Sequence, residues 1–168
     1  MQLRALFPGV GSAVRHGSGL VLALIWAGSG LAEEAAPAAE PAGASEDVSV
    51  TVVGLRSGKG KVLACLTSKP KTFPDCSKDP AAKRAIVGAA KGEVTFDFGA
   101  VAPGTYAVSL FHDENGNGKL DTMMAIPREG YGFSRDAAVM FGPPRFAAAA
   151  VAVERAALHL KVKMRYLL

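Results

Sequence analysis

Residues 158–166 read LHLKVKMRY, an unbroken alternation of apolar side chains with basic or imidazole ones. Successive side chains of a β-strand point to opposite faces, so this pattern predicts a strand with one buried and one solvated face. The buried face would hold Leu158, Leu160, Val162, Met164 and Tyr166, and the solvated face His159, Lys161, Lys163 and Arg165. We expect the strand within residues 156–166.

The same period of two recurs through residues 48–168. It predicts strands over 93–98 and 105–112, and two more over 48–55 and 61–67, which the Gly-containing turn 56–60 joins. Two stretches stay open: 80–90 suits a short helix or a loop with one strand at 85–87, and 146–153 suits a helix that continues as a strand. At least six short strands without a long helix predict an all-β fold, a single antiparallel β-sandwich of about seven strands.

Residues 1–32 are typical of a secretory signal peptide. A basic front precedes the apolar run 20–26, and the small residues Gly30 and Ala32 suit a peptidase that cleaves before Glu33. The alternative is a membrane-spanning anchor, but the run is shorter than the roughly 20 apolar residues that a bilayer requires. We therefore expect the chain to be exported to the periplasm or secreted, and not to span the membrane.

Composition separates a spacer from the folded domain. Residues 33–47 are Ala, Pro and acid, and we expect them to be a disordered spacer because they contain too little apolar surface to offset the entropy of ordering. Of the 168 residues, 49% are hydrophobic, which excludes a disordered chain as a whole. Residues 48–168 are therefore expected to form one domain.

The net charge of +4 is unevenly distributed. Residues 33–47 carry five acidic side chains and no basic one, whereas 48–168 carry 17 basic and 10 acidic ones, or +7. Nine of the basic residues, including Lys69 and Lys71, lie between Arg56 and Lys91. They suit either a surface that meets an envelope protein, glycan or anionic lipid headgroup, or a solvated loop region that keeps the protein in solution. Nucleic acid is not an expected partner outside the cytoplasm.

Cys65 and Cys76 are the only cysteines. An even number of cysteines in an exported chain predicts a disulfide, and this one would close a loop that contains two prolines. The alternative is a zinc site made of both cysteines with His112 and His159. The spacing between these residues lacks the paired motifs of zinc sites, so the disulfide is favoured.

The densest motif is HDENGNGKLD at residues 112–121. Short oxygen-bearing side chains at alternate positions, followed by a Gly, resemble the way calcium loops bend around the ion. The predicted ligands are Asp113, Asn115, Asn117, the backbone carbonyl of Lys119 and Asp121. Met124 stands where an EF-hand has its bidentate Glu, so any calcium would be structural and weakly held, on the order of 10⁻⁴–10⁻³ M.

The calcium prediction has one alternative and one candidate for an additional ligand. Tandem Asn-Gly steps make tight turns without metal, and Asp113 and Asp121 would then cap the ends of the loop. If calcium binds, Glu129 is a candidate for an additional ligand.

The stretch AIPREGYGF at 125–133 is a candidate recognition loop that involves Glu129, Tyr131 and Phe133. Gly130 and Gly132 would allow unusual backbone angles that expose the two rings. The alternative, which we favour, is that both rings fold back as a plug over the core.

A catalytic constellation is not evident. His112 beside Asp113, with Ser109 on the same predicted strand, suits a hydrolase only weakly, because no nucleophile elbow is present. His159 lies among lysines on a solvated face. The sequence therefore predicts a protein that is not an enzyme.

Three motifs in order, GTYAVSLFHDENGNGKLD at 104–121, IPREGYGFS at 126–134 and GPPRF at 142–146, resemble the exported bacterial proteins grouped as domain of unknown function 2141. The resemblance covers the whole predicted domain. It implies a small periplasmic β-sandwich, transthyretin-like or immunoglobulin-like, with no established activity. The family pattern has Gly at the position of Ala125 and Asn at that of Met123, so the loop after Asp121 departs from the family.

These observations together predict an exported, non-catalytic β-sandwich module that binds a partner in the cell envelope or acts as an accessory protein there. The alternatives are a purely structural β-module without a ligand and, least favoured, a hydrolase that uses His112 and Asp113.

Overall fold

The computed structural model describes residues 45–168, so the predicted signal peptide and nearly all of the predicted spacer lie outside the described residues. The first strand, β1, spans Glu46–Leu55 and begins two residues before the predicted domain boundary. Glu46 and Asp47 pair with the last residues of a neighbouring strand and therefore belong to the sheet. Within the described part of the chain, no helix has the length and apolarity needed to cross a membrane.

One sheet has three strands in the order β10-β1-β4, where β4 is Gly92–Val101 and β10 is Leu158–Lys163. β1 runs antiparallel to β4 but parallel to β10, with Val48 opposite Leu158 and Val52 opposite Val162. This parallel pair departs from the predicted antiparallel arrangement. Side-chain alternation identifies a strand but carries no information about the direction of its neighbour.

The second sheet has five strands. These are β2 (Lys61–Thr67), β3 (Lys83–Gly88), β5 (Gly104–Asp113), β8 (Gly130–Phe133) and β9 (Ala150–Val153). The order is β3-β2-β5, and the far edge of β5 pairs with β9 along its first half and with β8 along its second. All these pairs are antiparallel.

The other elements are short. β6 (Thr122–Met123) and β7 (Ile126–Pro127) form a separate hairpin, 3₁₀ turns lie at Cys76–Lys78 and Ser134–Asp136, and α1 covers Phe146–Ala149. The two open stretches are thus resolved. Residues 80–90 contain β3, and 146–153 begins as the one-turn helix α1 and continues as β9.

The core lies between the two sheets, as the predicted all-β sandwich requires. Alternate residues of β1 and β4, among them Val50, Val52 and Phe96, pack against Val62 of β2 and Val108 of β5. The apolar face that was predicted for residues 158–166 contributes to the same cluster, and its Val162 and Met164 are buried. The alternation that predicted the fold is therefore the one that builds the core.

A second apolar cluster covers the opposite face of the five-stranded sheet. Its buried members are Ala107, Tyr131, Phe133, Ala137 and Ala149, with Phe73, Phe111, Val139 and Phe146 packed against them. We call this set the outer cluster. The ring of Phe73 meets those of Phe133 and Phe146 edge to face, with centroids 5.8 and 6.0 Å apart. Since β5 contributes to both clusters, it is covered on its two faces.

The predicted disulfide is present between Cys65 and Cys76, whose Cα atoms are 6.4 Å apart. It closes the loop that carries Phe73 over the outer cluster. The hydroxyl of Ser109 on β5 donates to the carbonyl of Pro74 at 2.7 Å and holds the same loop against the sheet. Cross-linking the two ends of such a loop lowers the entropy of the unfolded chain.

Candidate functional site

The Asp/Asn/Gly loop connects the end of β5 to β6 and is organised by the carboxylate of Asp113. This side chain is 1% exposed and accepts hydrogen bonds from the backbone amides of Gly116, Asn117 and Gly118 at 2.8, 3.0 and 2.7 Å. Gly116 and Gly118 have φ of 77° and 75°, a region that glycine enters without a steric cost. The predicted turn at Gly118 is confirmed, and Asp113 is its internal anchor.

The other predicted ligands converge on one another. The side-chain amides of Asn115 and Asn117 donate to the two carboxylate oxygens of Asp121 at 2.7 and 2.9 Å. Their carbonyl oxygens accept from the backbone amides of Asn117 and Lys119, so each makes an Asx turn. Lys119 is exposed and takes part through its backbone. The loop therefore closes as a hydrogen-bonded network.

Glu129 joins the two ends of this loop. It is 5% exposed, and its carboxylate oxygens accept from the backbone amides of Glu114 at 2.9 Å and Asp121 at 3.0 Å. A buried carboxylate is tolerated where donors satisfy it, and two amides do so here. Sequence reasoning placed Glu129 in a recognition loop or on a metal, and it missed this bracing role.

The capacity of the loop for a cation follows from its unused acceptor sites. An ionised carboxylate offers about four lone-pair sites, of which Asp113 uses three and Asp121 two for side-chain bonds. Within residues 45–168, no three His, Cys, Asp or Glu side chains form a group suited to a metal. The oxygen donors suit calcium in kind, and the low carboxylate count suits only weak binding. The ligand set stays a prediction.

The surroundings of His112 do not provide the free base that the hydrolase alternative requires. The ring is fully buried, with Nδ1 2.7 Å from the hydroxyl of Tyr166 and Nε2 2.7 Å from the carbonyl oxygen of Lys59. Both ring nitrogens are thus engaged, and neither faces solvent. The carboxylate of Asp113 is directed at its own loop, and Ser109 bonds Pro74, so the three residues do not form a catalytic group.

A polar network beside His112 was not predicted from the sequence. The guanidinium of Arg56 pairs with the carboxylate of Glu114 and lies 4.4 Å from the centroid of the Tyr166 ring. Ser57 also donates to Glu114, at 2.8 Å. The bond from Arg56 lowers the pKa of Glu114 below its ordinary value, and burial raises the pKa of Tyr166. Arg56 and Glu114 are 58 residues apart, so no spacing motif could have identified the pair.

Tyr131 and Phe133 are not part of an exposed recognition loop. They lie in β8 and are 5% and 8% exposed, with both rings in the outer cluster. The favoured alternative was right in burying them, although they cover the outer face of the sheet rather than the central core. Gly130 and Gly132 do not have positive φ; they face the core instead, where a Cβ on Gly132 would lie 2.9 Å from Val162.

The predicted basic surface is partly committed to the fold. The ammonium of Lys69 pairs with the buried carboxylate of Asp79 at 2.8 Å, and Thr67 donates to the same carboxylate at 2.6 Å. These two bonds lower the pKa of Asp79. Lys71 is exposed, beside an open cleft whose lining includes Phe73 and Pro74.

The zinc alternative is wrong, because both cysteine sulfurs are in the disulfide. His112 is enclosed near Tyr166, whereas His159 lies on the exposed face of the three-stranded sheet. There it contacts the hydroxyls of Ser49 and Thr51 at 2.8 and 3.2 Å. The solvated role predicted for His159 agrees with this position.

Comparison with known proteins finds one family that matches the chain. It is described as "Uncharacterized protein conserved in bacteria (DUF2141)" and matches residues 50–161, two thirds of the sequence. Neither the curated proteins nor the solved structures contain a significant match.

Proposed function

The chain belongs to the DUF2141 family of uncharacterized bacterial proteins, and we propose that its folded domain is a non-catalytic binding or accessory module of the cell envelope. The proposal includes a weak, structural calcium site in the loop 113–121. Its partner would be an envelope protein, a glycan or an anionic lipid headgroup.

The observation that carries the proposal is that the side chains best suited to catalysis are hydrogen-bonded to other groups inside the protein. A general base needs a ring nitrogen that can reach a substrate, and both nitrogens of His112 bond inside the protein. The carboxylates of Asp113 and Glu129 bond backbone amides of the loop. Because these groups are buried and hydrogen-bonded inside the protein, they suit a structural role, which favours a non-catalytic module.

Export is supported by the disulfide between Cys65 and Cys76, since such bonds persist in oxidising compartments. The predicted signal peptide 1–32 points to the same compartment. A domain that is more basic than acidic suits the anionic polymers and lipids of an envelope.

Calcium is supported by the oxygen-bearing side chains that the loop gathers, since the side chains of Asn115 and Asn117 both reach Asp121. Asp113 would provide a remaining carboxylate lone pair, and Lys119 its carbonyl. Calcium bound there would replace the bonds from the two asparagine amide nitrogens to Asp121 with bonds from oxygen ligands, and it would thereby hold the loop between β5 and β6 in a single conformation.

The calcium site is tested by thermal and urea unfolding. With a dissociation constant on the order of 10⁻⁴–10⁻³ M, roughly 10 mM calcium stabilises the folded state by about 2 kcal/mol over a chelator. We expect Asp121→Asn to abolish most of this gain, because the neutral amide keeps acceptor capacity but loses the charge. Asp97→Asn, an exposed carboxylate on β4, is the matched control and should retain the full gain.

Equal unfolding midpoints in calcium, magnesium and chelator would contradict the calcium site. The loop 113–121 would then be a purely structural turn that its own hydrogen bonds close without a metal.

A further inference from the structure

Exposed apolar side chains are concentrated in two segments, the hairpin β6–β7 and residues 167–168. Among residues 45–168, eight large hydrophobic side chains are exposed, and five belong to the hairpin β6–β7 or to the last two residues. Their exposed fractions are 93% for Met124, 55% for Leu167, 50% for Met123, 49% for Leu168 and 44% for Ile126. We call these five residues the apolar end. Exposed apolar side chains that are grouped, rather than scattered, mark an interaction surface.

Arg56 brings the two parts of the apolar end together. Its guanidinium donates to the carbonyl oxygens of Leu168 at 2.6 Å and Arg128 at 3.0 Å. Arg128 directly follows β7, and its backbone amide donates to the carbonyl of Asp121 at 2.9 Å, which closes the base of the hairpin. The hairpin and the final residues therefore project from the same region.

Basic side chains are exposed in the segments near the apolar end. Lys59, Lys119 and Arg128 are exposed. The neighbouring carboxylates of Asp113 and Glu129 are buried on backbone amides, and that of Glu114 pairs with Arg56. Asp121 is half-buried and accepts both asparagine amides. Anionic groups are thus attracted to the rim of an apolar projection.

We propose that the apolar end inserts into the interfacial region of a membrane that contains anionic lipids. The apolar end consists of five side chains from two short segments, whereas a specific protein interface requires roughly 1,000 Å² of complementary area. A fluid lipid surface needs no such complementarity, and it combines negative headgroups with an apolar interior. Methionine at the tip suits this role, since its flexible side chain adapts to irregular apolar surroundings.

This inference names the partner of the module and rests on the binding role proposed above. The test uses protein expressed from the full chain, with the N-terminus identified by mass, and measures co-sedimentation with vesicles. We expect binding to phosphatidylglycerol-containing vesicles at least tenfold stronger than to phosphatidylcholine vesicles. Met124→Glu should reduce the anionic binding at least tenfold. Met140→Glu is the matched control, because Met140 is 81% exposed outside the apolar end, and this variant should bind as the wild type does.

A second measurement locates the inserted residue. The sequence has a single Trp, Trp26, inside the predicted signal peptide. In the processed chain, Met124→Trp therefore provides the only indole, and its emission should shift to shorter wavelength with anionic vesicles and be quenched by brominated lipid chains. If the N-terminus is retained, its apolar run binds vesicles in every variant alike, and the difference between Met124→Glu and Met140→Glu still reports the hairpin.

Equal vesicle binding by the wild type and Met124→Glu, or no binding by either, would overturn the membrane proposal. So would sedimentation equilibrium that shows a dimer abolished by Met124→Glu, which would identify a second copy as the occupant. The binding role proposed above would survive either result, because it also allows an envelope protein or a glycan as the partner. The calcium site is tested separately, without lipid.

Discussion

Ala125 is held in a backbone conformation that most residues avoid. Met124 and Ala125 form the two-residue turn between β6 and β7, with φ of 49° and 64°. A two-residue hairpin turn with positive φ at both positions favours Asn-Gly, because side chains with a Cβ are strained there. The resemblance to the family had identified Ala125 as a departure from Gly, and the structure supplies the physical meaning of that departure.

Replacing Ala125 with Gly should therefore stabilise the fold. We expect Ala125→Gly to raise the free energy of unfolding by about 1 kcal/mol, since the left-handed strain disappears. Ala152→Gly is the control: this exposed residue of β9 has no positive φ, and the same change should lower stability by about 0.5–1 kcal/mol. Urea denaturation measures both, and a loss of stability in Ala125→Gly would contradict the assigned turn.

At the scale of elements, β8 shows how two sheets meet at a corner. β8 pairs with β5 in its own sheet, and Tyr131 also exchanges backbone hydrogen bonds with Arg165, just beyond β10 of the other sheet, at 2.9 and 2.8 Å. Because the backbone of β8 lies this close to that of Arg165, no room is left for side chains on the inner side of β8. Gly130 and Gly132 occupy that side, where a Cβ would meet Tyr166 and Val162 respectively.

An added methyl group at this corner should be costly. Gly132→Ala places a Cβ 2.9 Å from Val162, 3.0 Å from Leu110 and 3.1 Å from a backbone oxygen, so we expect a loss of about 2 kcal/mol. Gly88→Ala, in β3 of the same sheet, finds nothing within 4 Å and should change stability by less than about 0.5 kcal/mol. Chemical denaturation distinguishes the two, and equal effects would show that the sheets do not close at β8.

Across the whole molecule, the Arg56–Glu114 pair connects elements distant in sequence. Arg56 follows β1, Glu114 follows β5, and the guanidinium also contacts Tyr166 and Leu168 near the end of the chain. The pKa of Glu114 is lowered in the folded state, first by Arg56 and also by Ser57. The ionised carboxylate of Glu114 therefore stabilises the folded state relative to the unfolded state.

Stability should consequently fall in acid. Because the folded pKa of Glu114 lies below the unfolded value of about 4.3, its contribution is present above that pH and is lost as pH falls through the folded pKa. The lowered pKa of Asp79 acts in the same direction. Melting temperatures between pH 6 and pH 3 should drop less steeply for Glu114→Gln than for the wild type. Glu93→Gln, an exposed change on β4, is the control, and an unchanged slope in Glu114→Gln would contradict the role of the pair.

The sequence by itself determined five of the strands, the disulfide and the glycine turn of the loop 113–121; these strands are β1, β2, β4, β5 and β10. Each depends on residues close in sequence or, for the disulfide, on a single possible pairing. Alternation along 158–166 was enough to predict which side chains of that strand are buried, because the period of a strand is set by its own backbone.

Only the tertiary structure decided the parallel pairing of β1 with β10, the outer cluster and the fate of the candidate site residues. His112, Glu129, Tyr131 and Phe133 carry the chemical groups of a site, yet all four are buried in the folded domain. Whether a polar or aromatic side chain faces solvent depends on which element packs over it. That packing is a property of the assembled sheets and loops, and local sequence patterns do not encode it.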